Sequence, residues 1–157
     1  MPSASRIEGN VAFAGDVAFA GSVTLPSSAV LDANVYETRH REVYSQASGS
    51  SASDESRVIH VVHGTAGTLK SVMVGSVDKA VGDSTVDVDI LKNGVSVLTA
   101  AVTLNSSNTD YVAVAGSINT AATTVGDVFE VEIDATAGTG TLPKGVFVSL
   151  EFLERIA

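Results

Sequence analysis

Three copies of a six-residue unit follow one another near the start of the chain and limit how it can fold. The units span residues 9–14, 15–20 and 21–26, and each opens with Gly. Their large apolar side chains are two residues apart, which is the period of a β-strand, so they lie on one face. These side chains are Val11, Phe13, Val17, Phe19, Val23 and Leu25. A segment this short cannot cover such a stripe by itself, so we predict an extended arm, residues 1–34, with an assembly or attachment interface.

The alternative for this repeat is an edge hairpin that packs on its own domain. The positive mean hydropathy of +0.29 in a chain without Trp favours packing between molecules. We therefore predict an obligate oligomer, most simply a homotrimer.

Composition excludes several classes of partner. The chain has 157 residues, which fits one domain with appendages, and 9 basic against 18 acidic residues give a net charge of −9. This charge disfavours nucleic acid and anionic membranes as partners. The tight basic cluster Arg39-His40-Arg41 is flanked by Glu37 and Glu42, which predicts a mixed ion-pair surface. There is no Cys, no signal-peptide pattern and no apolar stretch of transmembrane length, so we expect assembly in a cytoplasm.

Beyond the arm, the pattern predicts a Ser-rich connector, residues 35–57, and an antiparallel β-sandwich of jelly-roll type, residues 58–157. Val, Thr, Ser and Gly are abundant, and apolar and acidic residues alternate in 86–90 and 128–133. Asn93-Gly94 is a strong hairpin signal because both residues tolerate positive φ. Further strands are expected at 58–62, 69–74, 95–104, 111–118 and 146–153. We expect residues 58–157 to fold without the preceding segments.

Several residue groups resemble chemical sites, and each has a simpler interpretation. His60 and His63 are three apart, so on a regular strand they face opposite sides and cannot share a metal ion without a bulge. Asp83, Asp87 and Asp89 lack the spacing of a calcium loop and fit a solvent-exposed strand face. The Gly-rich stretches 64–67 and 138–141 fit β-turns and not phosphate loops. We predict no catalytic residues, no metal site and no cofactor.

The chain resembles the accessory structural proteins of tailed bacteriophages: capsid decoration or cement proteins, head fibres and short tail fibres. The resemblance rests on the Gly-x-Val-x-Phe-x repeats of residues 9–26, the Ser-rich stretch, and a compact β-domain with turns such as Lys92-Asn93-Gly94 and Gly126-Asp127. It implies a trimer on a capsid or tail surface that attaches through its N-terminal arm. The small number of aromatic residues departs from receptor-binding members.

The function expected from the sequence is that of a non-enzymatic virion protein of the capsid decoration or cement type. Such a protein stabilises the shell by bridging capsid subunits, and it lies on the virion surface after assembly in the host cytoplasm. Its expected partners are other copies of itself and the major capsid protein or another virion protein. The alternatives are a phage fibre or adhesin that binds a host-surface glycan and, more remotely, an enzyme.

Overall fold

The computed structural model describes residues 37–64 and 66–155, which form an all-β fold. The predicted interface residues of the arm, from Val11 to Leu25, lie outside the described residues. The described part contains ten strands and no helix, so it has no helix that could span a membrane. The strands are β1 (Glu37–Ser45), β2 (Glu55–Val61), β3 (Ala66–Asp78), β4 (Thr85–Lys92), β5 (Val95–Ser96), β6 (Val102–Leu104), β7 (Val114–Ala115), β8 (Ala122–Thr124), β9 (Val128–Thr136) and β10 (Lys144–Arg155).

The strands form two antiparallel sheets that pack face to face as a β-sandwich, as the sequence predicted. The first sheet has the order β1-β10-β3-β7, with β8 also paired to β3. The second has the order β2-β9-β4-β5, with β6 also paired to β4. Strands β1 and β2 are therefore end strands, one in each sheet, and they contact each other on one side of the sandwich.

The core forms where the alternating apolar residues of the two sheets meet. Val86, Val88 and Ile90 on β4 are fully buried, and Ile133 and Val131, which lie opposite the last two on β9, are buried with them. From the other sheet, β10 contributes buried side chains at every second position. These are Val146, Val148, Leu150 and Phe152. The rings of Phe129 and Phe152 meet edge to face with centroids 4.9 Å apart, which joins the two sheets. The predicted apolar alternation is confirmed for both β4 and β9.

A network of hydrogen bonds fixes the predicted turns at the end of β4. Asn93 and Gly94 have φ values of 52° and 79°, as the hairpin signal requires. Asn93 donates its side-chain amide to Asp127 (2.8 Å), and its side-chain carbonyl accepts from Val128 N (2.9 Å). Burial raises the pKa of Asp127, but hydrogen bonds from Thr124 and Asn93 outweigh it and leave that pKa below its ordinary value.

Two predicted strands differ from the structure. The return strand expected at 95–104 is interrupted: β5 and β6 pair with different parts of β4, and between them Leu98 forms a bridge to Ile118 in the loop after β7. The strand expected at 111–118 is reduced to β7. Some apolar residues in these two segments are buried and others are exposed. The apolar pattern of the sequence therefore did not indicate where strand pairing ends.

The predicted connector, residues 35–57, is part of the sandwich from Glu37 onward. Strand β1 pairs with β10 along its whole length, from Glu37 opposite Arg155 to Ser45 opposite Phe147. The Ser-rich stretch is a short turn that is bonded to the segment just before β10, because Ala52 N donates to Pro143 O (2.8 Å). Among the described residues the sandwich therefore includes β1 from Glu37, so the start expected for the β-domain at residue 58 is too late.

Candidate functional site

The most polar part of the interior is the region between β1 and β2. We call this region the seam. On β1 the inward positions carry His40, Glu42 and Tyr44, because these residues pair with the inward-facing Phe152, Leu150 and Val148 of β10. An end strand covers the open side of a sandwich, where polar tips can reach water while their stems pack on the core. The seam is thus lined by ionisable side chains instead of by apolar ones.

A β-bulge sets which residues of β2 face the seam. The pairing of β2 with β9 shifts register between Val58 and His60, so that Ile59 is the extra residue. Before the bulge Glu55 and Arg57 pair with inward-facing residues of β9, and after it His60 does. Without the bulge the strict alternation of a strand would turn His60 to the outer face.

His40, Glu42, His60 and Glu154 form a compact group at one end of the seam, which we call the His–Glu cluster. His60 Nε2 lies 2.7 Å from Glu154 Oε1, and His60 Nδ1 lies 3.5 Å from Glu42 Oε1. His40 Nε2 lies 3.8 Å from Glu154 Oε1 and 4.0 Å from Glu42 Oε1. These last two separations are too long for hydrogen bonds. His40 Nε2 is buried and has no hydrogen-bond partner among the described residues.

The two imidazole rings of the cluster pack against the buried ring of Phe152. The His40 ring stacks on Phe152 at 5.5 Å with an interplanar angle of 18°, and the His60 ring lies 4.5 Å from the same phenyl ring. The two imidazoles are 5.0 Å apart. Glu154 is also fixed by the backbone, because Gly64 N donates to Glu154 Oε2 (3.3 Å). Ring packing thus holds both imidazoles in place, and hydrogen bonds hold Glu154 and His60.

The other end of the seam is closed by Tyr44, Glu55 and Arg57. Tyr44 donates its hydroxyl to Glu55, and Arg57 pairs with Glu55 (3.0 Å) while its guanidinium lies 5.5 Å from the Tyr44 ring centroid. Burial, followed by the hydrogen bond to Glu55, raises the pKa of Tyr44 to about 12. The same hydrogen bond lowers the pKa of Glu55. This half of the seam is saturated with internal partners.

The basic cluster Arg39-His40-Arg41 is divided between the two faces of β1. Arg39 and Arg41 point outward and both pair with Glu151 of β10 (3.1 and 3.0 Å), so the predicted ion-pair surface is present for the two arginines, but with an acidic partner distant in sequence. His40 points inward to the seam. The sequence did not indicate this division, because three basic residues in a row were interpreted as one surface feature.

Two of the three acidic residues singled out in the sequence lie on the outer face of the second sheet. Asp87 and Asp89 share this face with acidic residues of β9, and they line a shallow depression there. Asp89 accepts a hydrogen bond from Ser96 Oγ (2.8 Å), and Asp87 accepts one from Thr103. Asp83 lies apart and braces the loop after β9 through Thr139, whose hydrogen bonds lower the pKa of Asp83. The predicted solvent-exposed acidic face is confirmed.

An exposed apolar patch lies on the loop before β7, residues 109–113, which we call the tyrosine loop. Tyr111 is 73% exposed and has a φ of 60°, and Val112 is also exposed. The loop is braced against β3, because Tyr111 N donates to Ser76 O (2.9 Å) and Asp110 accepts from Lys79 N (2.8 Å). A braced loop that presents an aromatic ring to solvent is typical of a binding surface.

The structure brings together one of the two histidines weighed in the sequence analysis with three residues that sequence reasoning did not assign to a site. His63 follows β2 and is exposed, whereas His60 joins His40 and Glu42 in the cluster. The available signal was the alternation His40-x-Glu42-x-Tyr44, which places three polar side chains on one face of a strand. The partner residues on β2 and β10 are distant in sequence, so only pairing brings them together.

No protein-family model matches the chain, and no curated protein matches it significantly.

Proposed function

We propose that this chain is a non-enzymatic structural protein of a virus particle, of the capsid decoration or cement type. In this proposal the β-sandwich, with a jelly-roll-like arrangement, is displayed on the particle, and residues 1–34 attach it. The apolar repeat that ends at Leu25 supports an attachment role, because such a stripe needs cover from another chain.

The position of β1 supports this proposal most directly. The first described strand, β1, starts at Glu37 and is an end strand of its sheet, with Glu37 opposite Arg155 of β10. The chain before Glu37 is thus covalently continuous with an end strand and not with an inner strand of the sheet. An arm connected in this way can bind a surface while the sandwich keeps its own buried interior.

The stabilising mechanism follows from mass action. If three copies associate, their arms offer related apolar stripes to neighbouring capsid subunits. A protein that binds the assembled lattice but not its dissociated subunits shifts the equilibrium toward the lattice. The acidic outer face, with Asp87 and Glu132 exposed, remains in solvent.

Particles purified from the natural source test this proposal. We expect the chain to band with intact particles in a density gradient, and cryo-electron microscopy to show it at symmetric positions on the shell. A chain that stays in the soluble fraction, with bare particles, would contradict a decoration role.

The tyrosine loop favours a second candidate function, which is binding of a host-surface glycan by a fibre or adhesin. Tyr111 is an exposed aromatic platform on a braced loop, and sugar rings pack on such platforms. On a glycan array, binding that is lost in Tyr111→Ala would favour this function. Absence of glycan binding together with attachment to particles favours the first.

A further inference from the structure

We infer that the His–Glu cluster is a binding site for a divalent transition-metal ion, with Zn²⁺ as the best fit. Its ligands are His40 Nε2 and Glu42 on β1 and His60 Nδ1 on β2. One ligand atom from each of the three residues lies within 4.8 Å of the others. Two imidazoles and one carboxylate form a donor set that zinc favours, with a fourth position for water.

The distances within the cluster fit an ion better than they fit direct contact. Two ligands of one tetrahedral zinc ion are about 3.4 Å apart, given bonds of about 2.0–2.1 Å. His60 Nδ1 and Glu42 Oε1 are 3.5 Å apart, which is close to this separation. His40 Nε2 and Glu42 Oε1 are 4.0 Å apart, so a small side-chain rotation brings them to it.

The buried nitrogen of His40 is an independent observation that points to a ligand. His40 Nε2 is buried without a hydrogen-bond partner, although it faces two carboxylates at 3.8 and 4.0 Å. A buried polar atom without a partner destabilises a fold. An ion between His40 and Glu42 would satisfy this nitrogen and offset the negative charge that the two glutamates bring.

Glu154 completes the arrangement as a positioning residue. It lies 2.7 Å from His60 Nε2, and the backbone N–H of Gly64 holds its second oxygen. Metal-bound histidines commonly donate their other ring nitrogen to a carboxylate, which fixes the tautomer. In this cluster the contact with Glu154 places the proton on Nε2 of His60 and leaves Nδ1 free to bind the ion.

The site is open to solvent and joins the two sheets. A depression lined by Glu42, His60 and His63 opens beside the cluster and gives the ion a path of entry. Because β1 and β2 are end strands of different sheets, an ion bound by both would link the two sheets and hold β1 in place. This inference does not depend on the proposed virion role.

Metal binding by the untagged, chelator-treated protein tests the inference. We expect one Zn²⁺ per chain by calorimetry and elemental analysis, and Co²⁺ in the same site should give the strong visible bands of tetrahedral coordination. At a free Zn²⁺ concentration about one hundred times Kd, the melting temperature should rise by about 5–10 °C. Nitrogen NMR of the parent protein should show Zn²⁺ on His40 Nε2 and His60 Nδ1.

Matched variants separate the cluster from the neighbouring surface histidine. His40→Gln should abolish stoichiometric binding, and Glu154→Gln should weaken it by about 10–100-fold. His63→Gln removes an exposed histidine from the same depression and should bind like the parent. The inference is overturned if the folded parent takes up no Zn²⁺ or Co²⁺, or if binding depends on His63 and not on His40. The parent spectra decide the matter even if His40→Gln fails to fold.

Discussion

At the scale of single residues, Tyr44 shows how burial and one hydrogen bond act together. Tyr44 is buried at one end of the seam. Its hydroxyl donates to Glu55, whose carboxylate also pairs with Arg57. Burial disfavours the phenolate, and the negative charge of Glu55 disfavours it further. The neutral phenol is therefore the form that the folded state selects.

We expect this selection to appear as a loss of stability at high pH. The pKa of Tyr44 is about 12 in the folded state against about 10 when unfolded, so its contribution is complete below pH 10 and is lost as the pH rises to 12. Between those values the free energy of unfolding should fall more steeply in the parent than in Tyr44→Phe. At neutral pH, Tyr44→Phe should cost about 1 kcal/mol.

Denaturant melts at several pH values and the ultraviolet absorbance of phenolate measure this effect. Tyr111→Phe is the control, since Tyr111 is 73% exposed. The difference between the phenolate titration curves of the parent and of Tyr44→Phe reports the titration of Tyr44. If this difference has its midpoint near pH 10, Tyr44 is not protected as the structure indicates.

At the scale of strands, the sequence predicts an element well when one face is apolar and the other is polar. Strands β4 and β9 meet this condition, with Val88 and Val131 inward and acidic residues outward, and both were predicted. Strand β1 does not, because His40 and Glu42 occupy its inward face, so the pattern resembled a connector. The cluster was missed for the same physical reason: its polar side chains gain their buried positions from pairing with β10 and from the bulge at Ile59.

The pairing of β1 changes what a truncated domain should do. A fragment of residues 58–157 lacks the nine residues of β1 and the first three of β2, and it exposes the edge of β10 beside Leu150 and Phe152. Net stabilities of domains are only about 5–15 kcal/mol, so we expect this fragment to be unfolded. A fragment of residues 37–157 should fold.

Amide chemical-shift dispersion and a thermal melt of both fragments measure this difference. The longer fragment serves as the control, since it adds only residues 37–57, which hold β1, the Ser-rich turn and the start of β2. A cooperative melt of the shorter fragment would mean that β1 is dispensable and that the start expected at residue 58 is adequate.

At the scale of the whole molecule, the two parts of the chain are expected to have separate roles. The sandwich has a buried apolar core of its own and presents an acidic face. The repeat that ends at Leu25 carries the apolar stripe for which we propose cover from other chains. If this division holds, assembly should depend on the repeat, while the stability of the sandwich should not.

Replacing Phe13 and Phe19 with Ser tests this division of roles. Burial of one Phe side chain contributes about 1.5–3 kcal/mol, so two in each of three chains amount to about 10 kcal/mol or more before the cost of ordering the arm. Even a fraction of that should raise the dissociation constant of the oligomer by several tenfold steps, which light scattering after size exclusion measures. The melting curve of the sandwich should stay the same.

Val95→Ser with Val125→Ser is the matched control, because it removes two apolar side chains that are 69% and 64% exposed on the sandwich. If the Phe variant assembles like the parent, or if the control pair dissociates the oligomer instead, the repeat is not the assembly interface and the attachment role proposed for residues 1–34 is wrong.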